Sequence, residues 1–154
     1  MSPTTLTLQQ YLHEHIPLSK AMQVSVVSVS RESVVLSAPL EPNINHRETV
    51  FGGSASALAI LSAWSLLHTR LQVEHPASCR LVIQRNTMEY SLPIQGQFLA
   101  RSALVLPEQW PSFLRVLSRR GKGRIAVKSV LEHLGQPVGE FSGEFVALGS
   151  DAAA

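Results

Sequence analysis

The sequence predicts an α+β domain in which an antiparallel six-stranded sheet curls around one buried helix. Residues 49–69 carry no formal charge, and most other apolar residues alternate with polar ones. No internal repeat or linker divides the chain. With 154 residues, 45% of them hydrophobic and 16% charged, the chain can bury about two-thirds of its unfolded surface. We expect one domain over residues 1–149 and a flexible tail at 150–154.

Taken in order, residues 6–16 read as an N-terminal helix stopped by Pro17. Met22, Val24 and Val26 open a strand. Val27 and Val29 then switch face, which predicts a bulge. Val34, Leu36, Ala38 and Leu40 share one face of the next strand. The uncharged run follows, with Ser54 as the expected N-cap of a helix reaching about Leu71. Ala55, Ala59 and Ala63 line one face of that helix, and Ile60, Trp64, Leu67 and Leu71 another. A helix apolar all round is a buried one, and an alanine ridge admits close approach of a sheet.

Residues 79–90 form a long candidate strand, with Leu81 and Ile83 opposite Val82, Gln84, Asn86, Met88 and Tyr90. Residues 98–106 form another. Pro111 to Arg119 reads as a short helix with Pro111 in its first turn and Gly121 past its end. Two final strands, about 124–133 and 138–148, flank Gly135-Gln136-Pro137. A three-residue loop there would set Leu131 opposite Phe141, Val127 opposite Phe145 and Lys128 opposite Glu144.

Composition excludes several classes of function. Cys79 is the single cysteine, so neither a disulfide framework nor a cysteine-based zinc cluster can form; it reads as a small buried hydrophobe. No His pair has metal-ligand spacing, and no metal is expected. Gly52-Gly53 and the serines interrupt the uncharged run, so it does not read as a membrane span. The first residues lack a basic segment followed by an apolar one, which predicts a cytoplasmic protein. A net charge of +2 is too mild to imply nucleic-acid binding. The basic run Arg119, Arg120, Lys122 and Arg124 follows a helix rather than preceding one, so it is no phosphate-cradling loop. Ten of the 11 acidic residues are Glu, so any catalytic carboxylate is expected to be one of them.

The run Asn45-His46-Arg47-Glu48-Thr49-Val50-Phe51-Gly52-Gly53-Ser54, leading into a buried Ala/Leu helix, resembles the signature of hotdog-fold acyl-CoA thioesterases. There an Asn is followed three residues on by Gly, and His-Gly-Gly then opens the central helix. Tyr90-Ser91-Leu92-Pro93-Ile94-Gln95-Gly96 is similar to a turn between strands in that superfamily. The Phe-Gly-Gly-Ser variant looks closest to the putative-thioesterase domain of the YiiD C-terminal type, over about residues 20–148.

The resemblance implies hydrolysis of an acyl thioester, on coenzyme A or an acyl carrier, with no other cofactor. It puts Asn45 where an amide positions thioester or water, and Gly53 where a backbone N–H polarises the carbonyl. Phe51, Gly52 and Ser54 would line the substrate, and the basic run would meet the phosphates of coenzyme A. It also implies a homo-oligomer built from dimers, paired through the 81–90 strand. The family's His is Phe51 here, its mid-loop Gly is Glu48, and its helix carboxylate is Ile60. Proton transfer would then fall to His46, Glu48 or another Glu. The alternative is a non-catalytic acyl-thioester or lipid-binding module serving a partner acyltransferase.

Overall fold

A computed structural model describes residues 3–75 and 77–149; the proposed tail at 150–154 lies outside them. Helices α1 (Pro3–His15) and α2 (Pro17–Ala21) precede strands β1 (Ser25–Val29) and β2 (Val34–Ala38). A single 3-10 turn leads to the long helix α3 (Gly52–Glu74), then β3 (Cys79–Tyr90), β4 (Phe98–Leu104), α4 (Trp110–Arg120), β5 (Lys122–His133) and β6 (Gln136–Gly149). The six strands form one antiparallel sheet in the order β1-β2-β4-β5-β6-β3. The α+β class, the strand count and the central helix are as expected. The short α2 is an addition: Pro17 ends one helix but also opens the next, because its fixed φ suits a first turn.

Helix α3 is the core's axis. Leu58, Ala59, Ala63, Leu66 and Leu67 are buried against Leu36, Phe98, Val127, Leu131, Phe141 and Phe145 of the sheet. The alanine ridge brings sheet and helix close enough for side chains to bond across. Ser129 Oγ donates to the Ala59 carbonyl at 2.8 Å, and Ser62 Oγ lies 2.8 Å from the Val34 carbonyl and 3.1 Å from that of Ala100. These serines fasten the helix to strands rather than bonding back along it.

Two irregularities explain patterns that simple alternation misses. The register of β1 shifts between Val26 and Ser28, at the expected bulge. That of β3 shifts between Ile83 and Arg85. The extra residue moves Met88 and Tyr90 onto the inner face with Leu81 and Ile83, so the expected opposition of those two sets does not occur.

The β5–β6 hairpin departs from its expected register by two residues. Its turn is Leu134-Gly135, with φ of +52° and +76°, a two-residue primed turn that matches strand twist. Leu131 faces Gly139, Val127 faces Gly143 and Lys128 faces Ser142. The shorter turn alone would slip the pairing by three, but an irregularity between Leu131 and Glu132 restores one residue, and the resulting even shift keeps Phe141 and Phe145 on the buried face. Glu144, freed from Lys128, pairs with Arg85 at 3.2 Å. Leucine at a left-handed position carries no turn signal, which is why the loop reads one residue too long.

His68 of α3 stacks against both Tyr11 and Trp64, with ring centroids 4.6 Å from each. Burial, then the charge of His15, pushes its pKa below the ordinary histidine value. The unfolded chain therefore binds more protons, and stability falls as pH drops through the ordinary histidine range. Thermal denaturation at stepped pH should show that loss in wild type, and His68→Phe should flatten it. Among the described residues, no helix is long and apolar enough to cross a membrane, and no three metal-ligating side chains cluster.

Candidate active site at the mouth of the central helix

The loop between β2 and α3 is built by two asparagines. Asn43 is buried and donates from Nδ2 to the carbonyls of Met22 (3.0 Å) and Pro39 (2.8 Å). Its own carbonyl accepts the Phe51 N–H at 2.8 Å. Asn45 organises the next turn. Its Oδ1 accepts from the N–H groups of Arg47 (2.8 Å) and Thr49 (3.1 Å), and its Nδ2 donates to Thr49 Oγ1 at 2.8 Å. An Asn holding its own backbone in this way shapes a tight turn. Sequence reasoning passes over Asn43, since a polar residue in an Asn-rich loop gives no sign of burial.

Glu48 lies on that turn with φ of +65°. A side chain there costs about 1–2 kcal/mol in crowding that glycine avoids. This accounts for the glycine that the resemblance places at this position. Glu48→Gly should therefore raise stability by about 0.5 kcal/mol, after allowance for the greater freedom of unfolded glycine. Chemical denaturation would measure it.

The loop delivers the chain to Phe51, which caps α3 without any side-chain hydrogen bond. The expected N-cap at Ser54 is thus two residues inside the helix, because Gly52 and Gly53 take up helical backbone themselves. The N–H groups of Gly52, Gly53 and Ser54 precede the first intrahelical bond, from Ala55 N–H to the Phe51 carbonyl at 3.0 Å. Such groups carry the positive end of the helix dipole. Gly53 is exposed and Gly52 half-buried, so neither lies beneath the packed core. The Phe51 ring lies over Gly53, where a β-carbon would otherwise stand.

The two quoted motifs, some forty residues apart, meet here. Val50 N–H donates to the Ile94 carbonyl at 2.8 Å, and Tyr90 Oη donates to the Gly52 carbonyl at 3.1 Å. Tyr90 is a contributor that the strand pattern alone does not reveal. It faces the helix only because of the bulge in β3.

The candidate residues fall into two groups. Asn45, His46, Glu48, Phe51, Gly52, Gly53 and Ser54 lie together around the mouth of α3, with His46, Glu48 and Phe51 exposed. Ile60, at the position of the family carboxylate, is half-buried. The basic residues Arg119, Arg120, Lys122 and Arg124 are exposed where α4 ends and β5 begins. The glycine mouth adjoins the far end of β5, through Ser91 N–H to the Val138 carbonyl. Strand rise puts the basic run about 30 Å from it. Within one chain, these cations do not share the glycine site.

A family model described as "Putative thioesterase (yiiD_Cterm)" matches residues 5–149. The chain belongs to that family. Solved structures agree in architecture. A protein of unknown function from Chlorobaculum tepidum TLS has 28% identity over 96% of this chain and 95% of its own, with a TM-score of 0.88. A "putative thioesterase" from Shewanella oneidensis has 26% identity over 96% of this chain and 99% of its own, at 0.83. A Pseudomonas aeruginosa protein at 20% identity covers 96% of this chain and 97% of its own, at 0.79, and shares the fold. The six-stranded sheet wrapped on α3 is therefore the hotdog fold of thioesterase-family proteins.

Proposed function

We propose that this protein hydrolyses an acyl thioester, carried by coenzyme A or an acyl carrier, to a carboxylic acid and a free thiol. One observation carries the reading: an exposed helix entrance at Gly52–Gly53 without a side-chain cap, held by a hydrogen-bonded loop. The Gly53 N–H would donate to the thioester oxygen as negative charge develops there. Water attacks the carbonyl carbon, the carbon–sulfur bond breaks, and the proton taken from water passes to the departing thiolate. Of the loop's exposed titratable residues, His46 and Glu48 are the candidates on the Asn45 turn to relay it. The chemistry calls for no cofactor beyond the coenzyme A of the substrate.

Asn45 enters this reading as a positioning residue, since its amide is engaged within the loop. Asn45→Ala should cost about 1–2 kcal/mol of stability and lower thiol release from a panel of acyl-CoAs by about 10²-fold. Asn45→Asp keeps the two Oδ1 acceptor bonds and should keep most of the activity. An aspartate variant that folds but is as inactive as alanine would mean that the amide itself touches the reactants. Glu48→Gln and His46→Gln, assayed alongside, separate the two relay candidates.

β3 is a twelve-residue strand at the sheet's edge, and an unpaired edge of that length invites a partner. Antiparallel pairing of two β3 strands about a twofold axis would set the basic run of one protomer beside the glycine mouth of the other. That arrangement gives Arg119, Arg120, Lys122 and Arg124 access to coenzyme A phosphates from across the joint. A second reading, a non-catalytic thioester-binding module, is favoured by Ile60 in place of a carboxylate. Tight acyl-CoA binding with no thiol release from wild type would select it.

A further inference from the structure

At the opposite end of α3 lies a cavity of about 280 Å³, open to solvent and walled mainly by apolar surface. Val29 and Ser30 of the β1 end, Thr69, Val73 and the charged residues Arg31, Arg70 and Glu74 line it. The Arg70 side chain is 95% buried, being only 5% exposed. Its guanidinium lies 4.1 Å over the Trp110 ring. Its ion pair to Glu74 is long, 3.7 Å, and Nε finds no hydrogen-bond partner. Glu74 is turned elsewhere: Arg31 holds both its oxygens, at 3.1 and 3.0 Å, and Trp110 Nε1 donates to it at 3.2 Å. Glu32, on the adjoining turn, is exposed and does not line the cavity.

A buried cation left so poorly satisfied is costly. Burial pulls its pKa below the ordinary arginine value, with the neighbouring charge of Arg31 adding to the effect. The lining carries two cations against one anion. We propose that this cavity binds a small monocarboxylate, its carboxylate meeting the outer nitrogens of the Arg70 guanidinium beside Arg31, since Nε itself is sealed from solvent, and its apolar chain lying along Val29 and Val73. The volume suits a short chain rather than a drug-sized molecule. Seventeen residues of helix separate Arg70 from Gly53, about 26 Å, so the two sites are distinct. The proposal stands whether or not the chain hydrolyses thioesters.

The test is a titration of ¹⁵N-labelled protein with hexanoate, and with 1-hexanol as the uncharged control, followed by NMR. Hexanoate should shift the amides of Val29, Ser30, Thr69 and Val73 and the Nε–H of Arg70. Hexanol should bind about ten- to a hundredfold more weakly, the loss expected for charge-assisted hydrogen bonds. Arg70→Met should abolish the hexanoate response; if that variant does not fold, the wild-type map and the hexanol control still decide. Absence of shifts at tens of millimolar, equal response to hexanol, or shifts confined to Gly52–Ser54 would each overturn the proposal. None of these readouts uses a thioester, so failure here is separate from failure of the hydrolase reading.

Discussion

Gly53→Pro should reduce thioester hydrolysis by about 10²–10³-fold, the usual cost of losing one donor to a developing oxyanion. Proline deletes the Gly53 N–H, which precedes the first intrahelical bond and so takes nothing from the helix ladder; it also disfavours the helical backbone of Gly52, a cost that the thermal denaturation reads separately from the lost donor. The atoms nearest to a β-carbon there are those of the Phe51 ring, which is exposed and can rotate away. Gly52→Pro is the matched control. Phe51 already has φ of −59° and ψ of 134°, the extended backbone that a following proline demands. A β-carbon at Gly52 would sit 3.6 Å from the Tyr90 ring, an ordinary contact. That variant should gain up to about 1 kcal/mol by stiffening the unfolded chain and retain activity. Steady-state thiol release and thermal denaturation of both variants make the comparison. Equal activity of the two would remove Gly53 from the mechanism.

The largest effect on stability is expected at Trp110. Its side chain is 2% exposed, packs on Phe113 with ring centroids 5.1 Å apart, and backs the guanidinium of Arg70. Trp110→Ala should destabilise by about 3–5 kcal/mol through the cavity it leaves. It also takes the ring from beneath a buried cation and one donor from Glu74. Trp110→Phe keeps a ring in place and forfeits chiefly the bond to Glu74, so about 1–2 kcal/mol is expected. Urea unfolding with unchanged slope would establish both values.

Trp110 also marks where reading the sequence stops. A helix beginning at Pro111 is visible from its proline and its closing glycine, but the tryptophan before it gives no sign that it joins α4 to the far end of α3. The alanine ridge and the glycine pair were legible because each has one strong physical meaning: close approach of backbone, and room at a helix entrance. The hairpin register was not, since Leu134 occupies a left-handed position that its side chain does not advertise. Tyr90 and Arg70 were equally hidden. The first depends on a bulge about thirty residues along the chain from the Gly52 carbonyl that its hydroxyl meets, and the second on a tertiary neighbourhood of three separate elements. Alternation predicts faces wherever a slip is even, as in the β5–β6 hairpin, and loses them past a one-residue bulge, as in β3.

The ring of Phe51, resting over the α-carbon of Gly53, has a kinetic consequence. It is 57% exposed, and its pivot is a single side-chain bond rather than a backbone hinge. Surface aromatic rings of this kind turn on a picosecond-to-nanosecond scale, far faster than loops open. A reactant arriving at the glycine amides would find a shutter that swings by itself, and admission would be governed by diffusion and fit instead of by a slow rearrangement of the polypeptide.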